Sequence, residues 1–364
     1  MNVLAIIDYE RRQEEGPAIA DILSGLQEDE CTLVELLPES RRNDDQVEGL
    51  VTEHPLSAPM PPGWLQRQRV QENLIRDLGR DLPHVIVAFG ESAAAMGNDL
   101  ANEIERPLLV ECWHARHAKR PPVRPQRVTG YFMASEGLAN VMRERRLHEL
   151  IATIPFPVRT PDDFSTDTTT APSIAILDAD IDPNAAQQII DGLKIVIEHI
   201  PDLQICLEVQ EAGGGRIWRH AERIGILDRI SSIRNASLVG PLVSDCTLTI
   251  MASSDRRSRS VTDLAMSRGR VVLRADHPML SDQERSSQYI LMEASADHWA
   301  RAILDLLADA DTRSALGNKA RLQIEERNEP QMIKKTWKSL LEEAVGNVTY
   351  PFDSKGSTAT TRSI

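Results

Sequence analysis

The stretch Ser253–Asp276, SSDRRSRSVTDLAMSRGRVVLRAD, holds the densest group of residues able to do chemistry. Arg256, Arg257 and Arg259 lie in a polar loop that runs into a helical segment, then Ser-Arg-Gly, then an apolar strand. Guanidiniums ahead of a helix suit the recognition of phosphates or carboxylates, which they grip through paired N–H groups. Glu211–Trp218, EAGGGRIW, sets Gly214 in the middle of a glycine run between a strand and a helix. Such a loop can cradle a nucleotide, although the GxGxxG spacing is missing and a plain strand-to-helix turn fits equally well. His114, in CWHARHAKR, follows a strand. It suits either a base or hydrogen-bond donor in a cleft or an ordinary loop cap. Asp297, His298 and Trp299 read as helix packing, and no Ser/His/Asp or Cys/His set follows from spacing.

Composition narrows the chemistry. The chain has 364 residues, 41% hydrophobic and 26% charged, with a formal net charge of −14. Two domains with full cores fit that length. An acidic chain with 4% aromatic residues has neither the cations to neutralise nucleic-acid phosphates nor a stacking platform for bases. Cys31, Cys112, Cys206 and Cys246 are far apart and form no CxxC. They read as buried thiols of a reducing compartment, with no metal site, and imply a cytoplasmic protein. The opening MNVLAIIDYE is too briefly apolar for a signal peptide or a membrane span and reads as a first buried strand.

Apolar strands alternate with amphipathic helices along most of the chain. Strands are expected at Asn2–Asp8, Cys31–Leu37, His84–Gly90, Pro107–Trp113 and Val128–Ser135, with helices at Ala18–Gln27, Leu65–Asp81, Glu91–Ile104 and Glu136–Arg146. Proline-rich Glu53–Trp64 is expected to be loop. Arg159–Ser173 is polar and proline-containing and breaks the series; a second alternation of the same kind then begins. The pattern predicts an α/β protein of two doubly wound, mostly parallel domains facing across a cleft. The expected division is 1–160, a linker 161–173, a second domain 174–329, a helix 330–346 crossing back to the first domain, and a disordered tail 347–364.

The order of these elements resembles the GT-B glycosyltransferases, specifically the retaining group known as family 4. The resemblance spans nearly the whole chain. It rests on LPHVIVAFGESAAAMGNDLANEIERPLLVECWH, GYFMASEGLANVMRERR, ERIGILDRISSI, LAMSRGRVV and the helix after Pro330 that carries Trp337. It implies two Rossmann-like domains and a nucleotide-sugar donor handled without a metal. It also implies an Arg and a Lys on the donor pyrophosphate, two glutamates eight residues apart on the sugar and ribose, and His114 on the acceptor side.

This sequence departs from that pattern at most of those points. The loop expected after the first strand, DYERRQEEGPAIAD, keeps only Gly16 and adds Glu10, Glu14 and Glu15, which repel an anionic donor. Asp180 stands at the clamp Arg position and Ala185 at the Lys position. Arg256 and Leu264 stand at the two glutamate positions, while Asp255 and Asp263, also eight apart, lie one residue out of frame. A one-residue shift would restore Asp255 and Asp263 to donor binding with Arg256 and Gly214, and the nearby arginines could replace the clamp.

Two functions compete. One is a glycosyltransferase-like protein with an impaired donor site that partners another glycosyltransferase or binds a glycan or protein acceptor. The other is an active, divergent transferase moving a sugar to a glycan, lipid or protein; an epimerase on the same fold would need the same nucleotide clamp. Arg116, Lys119, Arg120, Arg143, Arg145 and Arg146 are either a solvated basic face or a weak contact with an anionic inner membrane surface.

Overall fold

The computed structural model describes residues 1–346 except 27–30, 38–55, 60–63, 80–81, 124–127, 146–149, 159–170, 180, 210–214, 234–235, 254–258 and 292. The first half runs β1 (Val3–Asp8), α1 (Tyr9–Gly25), β2 (Cys31–Leu37), β3 (Leu56–Pro59), α2 (Trp64–Leu78), β4 (Val85–Phe89), α3 (Glu91–Ile104), β5 (Leu108–Glu111), α4 (Ala115–Lys119), β6 (Val128–Met133), α5 (Glu136–Glu144) and β7 (Leu150–Thr153). The second runs β8 (Ser173–Leu177), α6 (Pro183–His199), β9 (Gln204–Glu208), α7 (Gly215–Ile224), β10 (Ile230–Ile233), α8 (Ala236–Asp245), β11 (Leu248–Met251), α9 (Ser260–Ser267), β12 (Val271–Ala275), α10 (Asp282–Ser287), β13 (Tyr289–Leu291), α11 (Ala296–Ala308), α12 (Ala310–Arg327) and α13 (Pro330–Gly346).

Each half makes one sheet with parallel neighbours throughout. The first has the order β3-β2-β1-β4-β5-β6-β7 and the second β10-β9-β8-β11-β12-β13. In both sheets the strand order reverses beside the first strand of the half, between β1 and β4 and between β8 and β11. Open parallel sheets bind ligands beyond the strand ends at such reversals.

Central strands are apolar throughout because helices cover both faces. Every residue of β1, VLAIID, is buried. Leu4 and Ile6 face one core while Val3, Ala5 and Ile7 face the other. In the second domain Ile189, Ile190, Leu193 and Val196 of α6 recur at helical spacing and pack with Trp299, Ile303 and Leu306 of α11. Gly192 makes that approach possible: a Cβ there would meet the Ala296 carbonyl at 2.7 Å.

α13 packs on the first sheet. Ile333, Trp337, Leu340, Leu341 and Ala344 join the core that holds Phe89 and Phe132. The Trp337 ring meets Phe132 edge-on at 4.8 Å between centroids, a favoured aromatic geometry.

Two expectations change. The proline-rich segment 53–64 was expected to be loop, but Leu56–Pro59 adds a strand beside β2. It lies at the sheet edge, where the missing N–H of Pro59 costs no ladder bond. The loop expected around Gly16 is helix. Asp8 ends β1 and at once caps α1, its Oδ1 accepting from Arg11 N at 3.0 Å, and Gly16 is buried inside that helix. Residues 161–170 of the expected linker 161–173 and the tail 347–364 lie outside the described residues, and Ser173 begins β8.

Trp337 is 2% exposed, so Trp337→Ala should cost about 3–5 kcal/mol through lost burial and an unfilled cavity. Denaturant unfolding of the two proteins checks this through the shift in midpoint.

Candidate functional site

The chemistry gathers where both sheets reverse strand order. In the first domain the Asp8 carboxylate serves two helices: Oδ1 accepts from Arg11 N at 3.0 Å and Oδ2 from Ser92 N, in the first turn of α3, at 3.1 Å. Gly90, between β4 and α3, has φ 106°, and a Cβ there would land on the Asp8 carboxylate. Glycine is therefore required on both backbone and steric grounds. Burial pushes Asp8 up to about 6, against the pull of its two backbone N–H donors.

Arg11, one turn into α1, is 1% exposed. Its fork grips Glu111 at the end of β5, with Nε to Oε2 at 2.9 Å and Nη2 to Oε1 at 2.6 Å. Nη1 donates to Glu14 at 3.1 Å, and the guanidinium carbon lies 5.0 Å from the centre of the Trp113 ring. Helical spacing puts Glu14 and Glu15 on the same face as Arg11.

The second domain answers through Arg259, 2% exposed, just ahead of α9. Its Nη1 donates to Asp178, the residue after β8, and to Glu208 Oε2 at 3.1 Å, while Nη2 donates to Glu208 Oε1 at 2.9 Å. Its Nε crosses to the first domain and donates to Glu15 Oε1 at 3.1 Å. The other oxygen of Glu15 accepts from Ser260 N, the first residue of α9, at 3.0 Å. Glu15 thus occupies the anion-accepting start of a helix in the opposite domain.

These partners set the protonation directions. Burial works against charge on Arg259, but Glu208, Asp178 and Glu15 outweigh it and carry its pKa well above the arginine range. Burial also opposes the charge of Glu208, and Arg259 still pulls that carboxyl below its usual value. Asp178 and Glu15 are raised, burial outweighing the same arginine. Carboxylates of Asp8, Glu14, Glu15, Glu111, Asp178 and Glu208 outnumber the guanidiniums of Arg11, Arg259 and Arg274, the last buried and acting on Asp178. The buried cluster is therefore rich in acids, most of them paired.

His114 is buried beside this cluster, its ring 5.3 Å from that of His117. His117 Nδ1 accepts from Trp113 N at 3.3 Å, and Nε2 faces Glu91 at 3.2 Å. Burial lowers the His117 pKa, and its hydrogen bond holds Glu91 down to about 2. Asp263, in the first turn of α9, pairs with Arg327 Nη2 at 2.6 Å and accepts from Asn328 Nδ2 at 3.1 Å. Asn328 Nδ2 also donates to Phe156 O at 2.6 Å, so Asp263 belongs to the tie where the chain crosses between domains. Ala185, early in α6, gives its N–H to Asp182 Oδ1 at 3.1 Å. Leu264 is half-buried and packs against the core beneath α8 and α9. Gly214, Asp180, Asp255 and Arg256 lie outside the described residues, as does Arg146. Arg116, Lys119, Arg120, Arg143 and Arg145 are exposed; Arg116 pairs with Glu91 and Arg143 with Glu136.

Sequence reasoning passed over Arg11, Glu111, Asp178 and Glu208 as site residues. A signal was present: the buried strands β1, β5 and β9 end in an acid, and an aspartate follows β8 within a residue. Among the described residues no group of His, Cys, Asp and Glu could hold a metal ion, and no helix is long and apolar enough to cross a membrane.

No protein-family model matches the sequence, and no curated protein matches it by sequence. Solved structures match it in three dimensions. Anabaena HepE in complex with UDP-glucose superposes with a TM-score of 0.72 at 14% identity, over 94% of this chain and 99% of that one. Sucrose-phosphate synthase of Thermosynechococcus elongatus gives 0.72 at 13% identity, over 96% and 100%. A Listeria monocytogenes structure described as a putative UDP-N-acetylglucosamine 2-epimerase gives 0.67 at 14% identity, over 94% and 97%. At these identities the likeness establishes the fold: two Rossmann-like domains arranged as in GT-B glycosyltransferases.

Asp8 has a higher pKa folded, about 6, than its ordinary 3.8. The folded protein therefore binds this proton more tightly, and stability from Asp8 is present below pH 4 and falls as pH rises towards 6. A shift of that size corresponds to about 3 kcal/mol. Urea unfolding across pH 4–6 should show a steeper downward slope in the wild type than in Asp8→Asn.

Proposed function

We propose that this protein is a glycosyltransferase-like partner subunit whose nucleotide-sugar cleft is filled by its own ion pairs. It would bind an acceptor glycan or protein, or an active glycosyltransferase, rather than transfer sugar itself. The observation that carries this is Glu15. Its carboxylate holds the start of α9 and the Nε of Arg259, a helix N-terminus and a guanidinium suited to a phosphate.

Supporting features point the same way. Three of the four remaining N–H groups of Arg259 donate to Asp178 and Glu208. Asp8 caps α1 and α3, and Asp182 caps α6. An incoming diphosphate would displace these carboxylates and then face them, in a poorly solvated cleft where like charges repel strongly. Lys119, Arg120 and Arg145 are exposed on one flank, and weak contact with an anionic membrane surface is consistent with their charge.

A second reading, an active divergent transferase, is favoured by HepE, which holds UDP-glucose on the same fold. It would draw donor contacts from Asp255 and Arg256, with His114 on the acceptor side. Asp263 would have to leave Arg327 and Asn328 to take part.

Thermal denaturation with a panel of nucleotide sugars separates the two. A donor at a hundredfold excess over its Kd adds about 2.7 kcal/mol, a shift of several degrees for a domain of this size. The expected outcome is a flat panel and no release of nucleoside diphosphate in the presence of acceptors. One donor that raises the melting temperature by several degrees and turns over would overturn the proposal.

A further inference from the structure

Among the described residues the Glu15 contact is one of several that join the two domains, beside the hydrogen bond from Asn328 to Phe156 and the packing of α13 on the first sheet. Glu15 sits in the middle of α1, 0% exposed, and both of its oxygens are used by the second domain. Nearby, α1 packs against α8, and Met279, after β12, packs against the first-domain core. The chain crossing is tied by Asn328 to Phe156 and Asp263.

We propose that Glu15 is a built-in latch: an internal anion that holds the two domains closed with no ligand between them. Helix starts beyond the strand ends of parallel sheets are where anions bind, and here a carboxylate from one domain takes that place in the other. The rest of the network makes the latch separable from folding. Without Glu15, Arg259 keeps Asp178 and Glu208 within its own domain, and Arg11 keeps Glu14 and Glu111 within the other. Removing Glu15 therefore strands no buried cation in either half, and it reduces the surplus of negative charge in the cleft. What is lost is the bond from Arg259 Nε and the cap on the first N–H of α9, which cross the domain boundary, and the looser pairing with Arg11 Nη1 at 3.9 Å within the first domain.

The latch stands apart from the proposed function, because it concerns the shape of the protein alone and needs no nucleotide. Binding and turnover of a nucleotide sugar by the wild type would sink the functional proposal and leave the latch untouched.

The test compares full-length wild type, Glu15→Ala and Glu15→Gln by small-angle X-ray scattering and by hydrogen exchange, with circular dichroism to establish folding. Glu15→Gln keeps the size of the side chain and one carbonyl oxygen, so it serves if the alanine variant fails to fold. The expected result is native secondary structure, a radius of gyration larger by about 1 Å or more, on the scale of hinge opening, and exchange at the start of α9 faster by about tenfold or more. Faster exchange at α9 with unchanged scattering would reduce Glu15 to a local cap and overturn the latch. A folded variant with neither change would overturn it as well.

Discussion

A guanidinium withdrawn from water must be met by carboxylates, and Arg259 draws them from both domains. Asp178 and Glu208 come from the ends of neighbouring strands in its own sheet, and Glu15 comes from a helix of the other. Each of these acids is too buried to carry charge cheaply without a guanidinium beside it. Arg11 repeats the arrangement in the first domain with Glu111 and Glu14. The relative placement of the two sheets depends on this shared neutralisation.

Helix N-termini explain why the same charges bear on function. Parallel α/β sheets point helix starts into the crevice beyond their strands, and those exposed N–H groups are where anions normally bind. Here Asp8 occupies the starts of α1 and α3, Asp182 that of α6 and Glu15 that of α9. The fold is that of the matched structures, and in this chain carboxylates occupy these helix starts. Gly90 is part of the same design, since any side chain there would displace Asp8.

The remaining contacts are those that let such a cleft persist. α13 returns across the domains and buries Trp337 against Phe89 and Phe132. Asp263 is engaged by Arg327 and Asn328 at the crossing. The crossing and the Glu15 contact hold the domains at separate places, one through packing and the covalent chain, the other through charge.

Most of the architecture was legible in the sequence, because strands buried on both faces must be apolar and their helices amphipathic. β1, β4, β5, β8 and β12 declare themselves in that way. β7, β10 and β13 do not, being short and only partly buried, and β3 is disguised by its proline. The site was legible in residue type but not in pairing. Acids after the first strand implied a cleft hostile to phosphate, yet the helix that replaces the expected loop turns Glu15 towards the other domain and Arg11 towards Glu111. Glu15 and Arg259 are 244 residues apart, and nothing in local spacing relates them. The sequence alone determined most of the elements, their alternation in two series and the run of acids after the first strand, since these follow from local hydrophobic period and charge. Only the tertiary structure decided which carboxylate meets which arginine, because that depends on how two independently wound sheets face each other.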